Sequence, residues 1–461
     1  MRVPIDRASR LSGFVENPRK GLWTLAIPAM IGMSLQTLYM IADMAFVGRV
    51  GADALTALAF NAPLFVLGLG LSVGLGSGVT SLIARSIGAK DKKAADNCAE
   101  HALVLALAVS IVVTVLGLKW GQAALAALGV PIEIADLAWT YLRILVGGFV
   151  FMMFAIFFGA ILSGEGDMKT PVAIGGSGTL LNIVLDPILI FGFDMGVGGA
   201  ALATVISQAL SCMLFAYFLF TKDRAYITFT PRDFRLSGSI LGKIVKIGLP
   251  ASFSFFIMAF LGSLFNRILV TFSGEAVAAF QIGLRLNQLF VLPLMAIAGA
   301  LVTLVGMFAG AGHFDLVREV VRYAMIRSLA AAFVVGSIFY LMAGRMIGLF
   351  TADIHILGIG IGMLHVVVFS YPFVAVAILT GRILQGMGYG MPVMVISALR
   401  LLLIAGPLAW VFVFVLDKPL TWVWYALVVG SIGGAAVAAI WLRWAIRRLG
   451  RDSLVGEPAS I

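Results

Sequence analysis

The chain has 461 residues, of which 61% are hydrophobic and only 12% charged, with a mean hydropathy of +1.07. Soluble globular proteins are nearer half apolar and a quarter charged, so this composition excludes a soluble enzyme or binding domain and indicates a polytopic membrane protein. The formal charge of +10 would suit a nucleic-acid binder, but the basic residues fall in short loops between apolar stretches, a pattern that points to the lipid bilayer and to no nucleic acid.

Taken in order, apolar stretches long enough to cross about 30 Å recur roughly twelve times. They cover 22–47, 57–83, 99–118, 139–162, 172–193 and 198–220, then a polar linker over 221–241. The second set covers 244–271, 278–309, 320–342, 359–384, 393–416 and 422–445, and no stretch shows strand periodicity. The predicted fold is an all-α membrane bundle with a first lobe over 1–220, a cytoplasmic linker over 221–243, and a second lobe with a basic tail over 244–461. The first twenty residues are polar and charged with no signal-peptide core, so the first span is expected to be retained and the N-terminus to start in the cytoplasm. With both termini inside, twenty-four Lys and Arg lie on the cytoplasmic side and only Arg49, Lys119, Arg345 and Lys418 outside. Cys98 and Cys212 are too few for a disulfide framework and read as inert thiols. The four scattered histidines give no metal-ligand spacing, and no cofactor is expected.

The chain repeats itself. Ile27-Pro28-Ala29 matches Leu249-Pro250-Ala251, Ile87-Gly88-Ala89 matches Ala309-Gly310-Ala311, and Leu162-Ser163-Gly164 matches Leu384-Gln385-Gly386, each pair 222 residues apart. Gly198-Gly199-Ala200-Ala201 resembles Gly433-Gly434-Ala435-Ala436 at a longer offset, which implies an inserted loop. Six spans per copy give both copies the same orientation, so the two lobes should be related by an axis along the membrane normal with a cavity between them.

Within the fifth span, Leu185-Asp186-Pro187 places an acid in an apolar run. A carboxylate at bilayer depth costs about 2.5–3.5 kcal/mol on insertion scales, and its default reading is functional. Pro187 has no N–H, which should free the Ile183 carbonyl, and Asn182 shares a helix face with Asp186 four residues on. Amide, carbonyl and carboxylate together suit a proton or a small cation. The other reading is a structural ion pair, with Arg143 as the candidate partner by depth. In the first span, Asp43 shares a face with Tyr39 and Gln36. Asp43 is either an interfacial acid solvated outside or a partner of Asp186, and two such acids in one pocket could hold and release protons at working pH.

Elsewhere, Arg285, Asn287 and Arg400 are conspicuous polar residues in second-lobe spans without an acid beside them. With Gln36 and Asn61 they are candidates to line the cavity, to bind substrate or lipid anions, or simply to snorkel. The glycines from Gly68 to Gly78 predict close helix approach. Gly164-Glu165-Gly166-Asp167 carries the Gly-x-Gly-Asp of intramembrane proteases, but it falls in a loop and its second copy, Gly386-Met387-Gly388-Tyr389, lacks the acid, so no enzyme is expected.

The Ile27-Pro28 helix, the segment from Ile41 to Gly48 around Asp43, the Gly164-Glu165-Gly166…Pro171 loop and Leu181-Asn182-Ile183-Val184-Leu185-Asp186-Pro187 together resemble the multidrug and toxic compound extrusion (MATE) family over the whole chain. With its acids in the first lobe only, the chain is most similar to the DinF-type branch. The resemblance implies a V-shaped twelve-helix antiporter, a monomer, that exports amphipathic and often cationic small molecules against protons or sodium ions by alternating access. It carries the coupling role to Asp43, Tyr39, Asn182, Asp186 and Thr204, which could equally hold Na+ at Asp43, Asn182, Asp186 and Thr204. It makes Pro28 the proline at which the first helix bends. The alternative is a lipid or lipid-linked oligosaccharide flippase of the same fold.

Overall fold

The structure is a computed structural model that describes residues 8–221, 225–230 and 234–455. It is helical throughout, and among the described residues there is no strand. A short α1 (Ala8–Glu16) leads into α2 (Pro18–Gly48), α3 (Ala52–Gly88) and α4 (Lys92–Ala127). Then come α5 (Ala135–Gly147), α6 (Phe149–Gly164), α7 (Lys169–Pro187) and α8 (Gly196–Phe220). The second half holds α9 (Gly238–Val270), α10 (Gly274–Gly310), α11 (Phe314–Leu341), the short α12 (Ala343–Gly348) and α13 (Ile354–Val367). It closes with α14 (Tyr371–Gly386), α15 (Met391–Ala398), α16 (Gly406–Phe414) and α17 (Thr421–Val455).

Eleven helices or continuous helix runs are long and apolar enough to cross a membrane, and a twelfth span is built from α5 and α6, bent by 47° at Gly148. The sequence reads 139–162 as a single span. The bend follows from Gly147-Gly148, where Gly148 lies so close to Val205 of α8 that a side chain would collide with it. Prolines 28, 63, 250 and 293 lie inside continuous helices, so Pro28 sits within an unbroken α2.

The chain forms two compact units. The first holds residues up to Ser252 apart from Ser12–Trp23, which group with Phe253 onward in the second. The internal repeat is visible in each. Helices α3 and α10 end at Gly88 and Gly310, and α6 and α14 end at Gly164 and Gly386, each pair 222 residues apart. The turns that follow α6 and α14 need Gly166 (φ 78°) and Gly388 (φ 96°), a left-handed backbone that side chains resist. The expected close approach of the α3 glycines is also present: a Cβ on Gly74 would collide with Ser252, 2.6 Å from its Cα, and one on Gly78 would stand 2.6 Å from the Ile244 carbonyl.

One repeat register changes. Gly178 of α7 packs on Ser207 and Ser211 of α8, and in the second unit Arg400 packs on Gly430 and Gly434 of α17. Those pairs are 222 to 223 residues apart, so no inserted loop displaces the last helix. The Gly198 and Gly433 segments are therefore not structural equivalents.

In the first unit the stretch after α8 does not run free. Its backbone N–H groups at Tyr226 and Ile227 donate to the Glu165 carboxylate (3.0 and 2.8 Å), Thr228 N–H donates to Asp96 (3.0 Å) and Thr230 N–H to Glu100 (2.8 Å). Further on, Ser237 N–H donates to His101 Nε2 (2.7 Å), and Phe229 packs its ring on Phe220 of α8 at 4.7 Å. The linker is thus strapped over the ends of α4, α6 and α8 by acceptor side chains.

Candidate functional site

Asp186 and Asn182 are the last polar residues of α7 before Pro187, and the chain continues as a π-turn over Ile188–Gly192. Pro187 offers no N–H to the α7 ladder, and the wider, under-wound turn beyond it takes up the break. The Phe193 N–H donates to the Ile188 carbonyl at 3.0 Å, which closes that turn.

Asp186 is fully buried, at 0% exposure, and neither carboxylate oxygen has a hydrogen-bond partner. Asn182, 3% exposed, donates through Nδ2 to Thr204 Oγ1 of α8 at 3.4 Å, and its Oδ1 is also unpartnered. Thr204 Oγ1 in turn donates to the Ala200 carbonyl at 3.1 Å. Asp43 of α2 is half-buried, with its Oδ1 buried and unpartnered, and it lies within electrostatic reach of Asp186. Four orphaned carboxylate and amide oxygens therefore belong to two helices of one unit. A buried acceptor normally has a donor, and a group left without one costs about 1–3 kcal/mol. Proton or small hard cation, an occupant that offers positive charge to these oxygens fits the donor set. One helical turn beyond the acids on both helices, Val47 and Ile190 join Ala54, Val197 and Ala200 in an apolar cluster.

The other sequence candidates fall in different places. Tyr39 lies on α2, but its side chain is outside the described residues. Arg143 is exposed on α5 and makes no ion pair with Asp186. Asn61 is buried and fixed by its own amide, which donates to the Ala57 and Ala138 carbonyls at 2.9 and 3.0 Å and so ties α3 to α5. Gln36 and Arg285 are exposed and Asn287 is half-buried. Arg400 sits in a π-turn over Leu399–Ala405 with its stem flat on Gly434 and its Nε buried without a partner. No group of three or more His, Cys, Asp or Glu among the described residues could hold a metal ion, so any cation site must draw on amide and hydroxyl oxygens as well. Sequence reasoning missed the acceptors Glu165, Asp96, Glu100 and His101, whose partners lie more than sixty residues away.

A duplicated bundle of membrane-length helices with polar oxygens sealed inside one unit is the architecture of a secondary transporter, not of an enzyme. The MatE family model matches residues 28–188 and 250–411, the two copies of the repeat. The chain is 28% identical over 425 residues to the "Probable multidrug resistance protein NorM" of Thermotoga maritima, covering 90% of each chain. It is 30% identical over 387 residues to the "Multidrug export protein MepA" of Staphylococcus aureus, covering 83% of this chain and 84% of that one. Among solved structures, a transporter of the MOP superfamily from Pyrococcus furiosus superposes with a TM-score of 0.91 at 32% identity, covering 97% of this chain and all of the other. The chain belongs to the MATE family of membrane transporters.

Proposed function

We propose that this protein is a multidrug efflux antiporter that exports amphipathic, often cationic, compounds in exchange for protons or sodium ions. The observation that carries the coupling role is the fully buried Asp186 carboxylate, unpartnered at both oxygens and within electrostatic reach of Asp43. Asn182 and Thr204 complete the site, with Tyr39 carried over from the family motif. Binding a proton or Na+ neutralises charge that the apolar surroundings penalise, so the occupied and empty sites favour different arrangements of α2 and α7. A ligand moves such an equilibrium only by its differential affinity for the two states. Pro28, which removes one N–H from the α2 ladder, is the proposed point of bending. Acids within the apolar spans lie in the first half alone, as in the DinF-type branch, which makes the first lobe the ion-coupling lobe and leaves the second, over 244–461, without coupling chemistry. We place the protein in the plasma membrane as a monomer with both termini in the cytoplasm.

The test is efflux from proteoliposomes under separately imposed proton and sodium gradients. Asp43→Asn and Asp186→Asn should each abolish gradient-driven efflux while the protein remains folded, and full activity in both variants would sink the assignment. The alternative, a lipid or lipid-linked oligosaccharide flippase, draws support from Arg400, a half-buried cation whose Nε is buried without a partner. Cationic-dye efflux and lipid translocation measured on the same preparation separate the two.

A further inference from the structure

The repeat places one pair of positions in two different settings. In the first unit Asp96 and Glu100 stand one turn apart on α4 and receive the linker N–H groups of Thr228 and Thr230. In the second unit the residues 222 positions on are Arg318 and Arg322 of α11. Glu165, which holds Tyr226 and Ile227, is likewise replaced by Met387. No strand of this chain among the described residues is bonded across the equivalent place, and a groove of about 530 Å3 is left there between α11 and α17. Arg318 and Arg322 stand on it, and Val321, Met325, Leu442 and Ile446 form its apolar wall.

The reversal of charge determines what can fill the groove. Backbone N–H groups need acceptors, and the first copy supplies them in the carboxylates of Glu165, Asp96 and Glu100. Two guanidinium groups over an apolar wall instead call for an occupant with an anionic head and a hydrocarbon tail. Arg318 and Arg322 lie within the first nine residues of α11, about 13 Å of helix at 1.5 Å per residue, the depth of the headgroup layer. The two acids at this end are engaged: Asp315 with Arg318 at 3.0 Å, and Glu319 with Arg19 at 2.9 Å. Both members of the Asp315–Arg318 pair are exposed, and such a pair is weak enough to yield to a phosphate. Arg443 and Arg447 follow on the same end of α17.

We propose that this groove is a binding site for an anionic phospholipid of the cytoplasmic leaflet, with its phosphate on Arg318 and Arg322 and an acyl chain along Val321, Met325, Leu442 and Ile446. Basic pockets between membrane helices on the cytoplasmic side recognise acidic headgroups in this way. The lipid fills in the second unit the place that the linker fills in the first.

The experiment uses the full chain, delipidated in neutral detergent, with native mass spectrometry counting lipids retained from added phosphatidylglycerol or phosphatidylcholine of identical acyl chains. The wild type should retain one phosphatidylglycerol in preference to phosphatidylcholine. The double variant Arg318→Gln/Arg322→Gln should weaken that binding roughly thirty-fold, with phosphatidylcholine unchanged. Leu442→Trp, which keeps both arginines and fills the groove, should also displace the lipid. Equal phosphatidylglycerol retention by the wild type and the double variant would overturn the proposal, as would no preference in the wild type. Competition by inorganic phosphate at the lipid's own concentration would also overturn it, since it would show a site for a free anion.

Discussion

At the scale of single residues, Asp186 is a cost to the fold where it stands, and that cost is the ground for the coupling role proposed for it. A carboxylate at 0% exposure with no donor is penalised by desolvation when it carries charge, and a neutral amide of the same shape is penalised less. Asp186→Asn should therefore leave the free energy of unfolding unchanged or raise it by on the order of 1 kcal/mol, read as an unchanged or higher thermal midpoint, while it abolishes coupled efflux. Loss of fold in that variant, read by thermal unfolding in detergent, would mean the acid serves a structural pair instead. Asp186 and Asn182 are legible in the sequence because a charge stands out in an apolar run and four-residue spacing sets a common face. Their bond to α8 is not legible, because which of many small hydroxyls meets Asn182 depends on how α7 and α8 pack. Thr204 comes from the family motif and takes its place beside Asn182 at 3.4 Å. Asn61 shows the converse: a polar residue in a span that serves helix packing.

At the scale of elements, the strap over 225–230 turns a polar linker into a docked segment. Burial pushes the Glu165 carboxyl up, against the pull of the Tyr226 and Ile227 N–H groups and Arg10. The sign follows directly. For this group the cost of ionisation enters as pH rises from the ordinary carboxylate value through the raised one, and it is absent below that window. Glu165→Ala would leave two N–H groups with no acceptor, at about 1–3 kcal/mol each if they stay buried. Amide exchange at Tyr226 and Ile227 should then speed up at least about tenfold, with Glu165→Gln in between because one acceptor oxygen remains. Unchanged protection in the alanine variant would show that the strap is held elsewhere. The helices themselves are legible from hydropathy, whereas the bend at Gly148 and the strap depend on contacts between residues distant in sequence.

At the scale of the molecule, the two halves share a scaffold and differ at the residues to which the proposal assigns chemistry. Matching helix ends at Gly88 and Gly310 and at Gly164 and Gly386 preserve the repeat, and so do the left-handed glycines Gly166 and Gly388. The acids at 43 and 186 and the charge reversal at 96 and 100 against 318 and 322 do not. The Lys and Arg count makes a prediction for the chain as a whole. With Cys98 and Cys212 replaced by alanine, Ile132→Cys, at an 86% exposed position, should react with a membrane-impermeant thiol reagent from outside intact cells. Leu236→Cys, at 65% exposure, should react only after the membrane is opened, and the opposite pattern would invert the topology.

The proposed coupling role of Asp186 is tested most directly by following both movements in one proteoliposome: export of a fluorescent cation and entry of the exchanged ion, read by lumenal pH and sodium dyes. The wild type should move one of the two ions against each export event, and Asp186→Asn should move neither ion nor substrate under a gradient. Ion-driven export that persists in Asp186→Asn, with ion flux still coupled, would contradict the account.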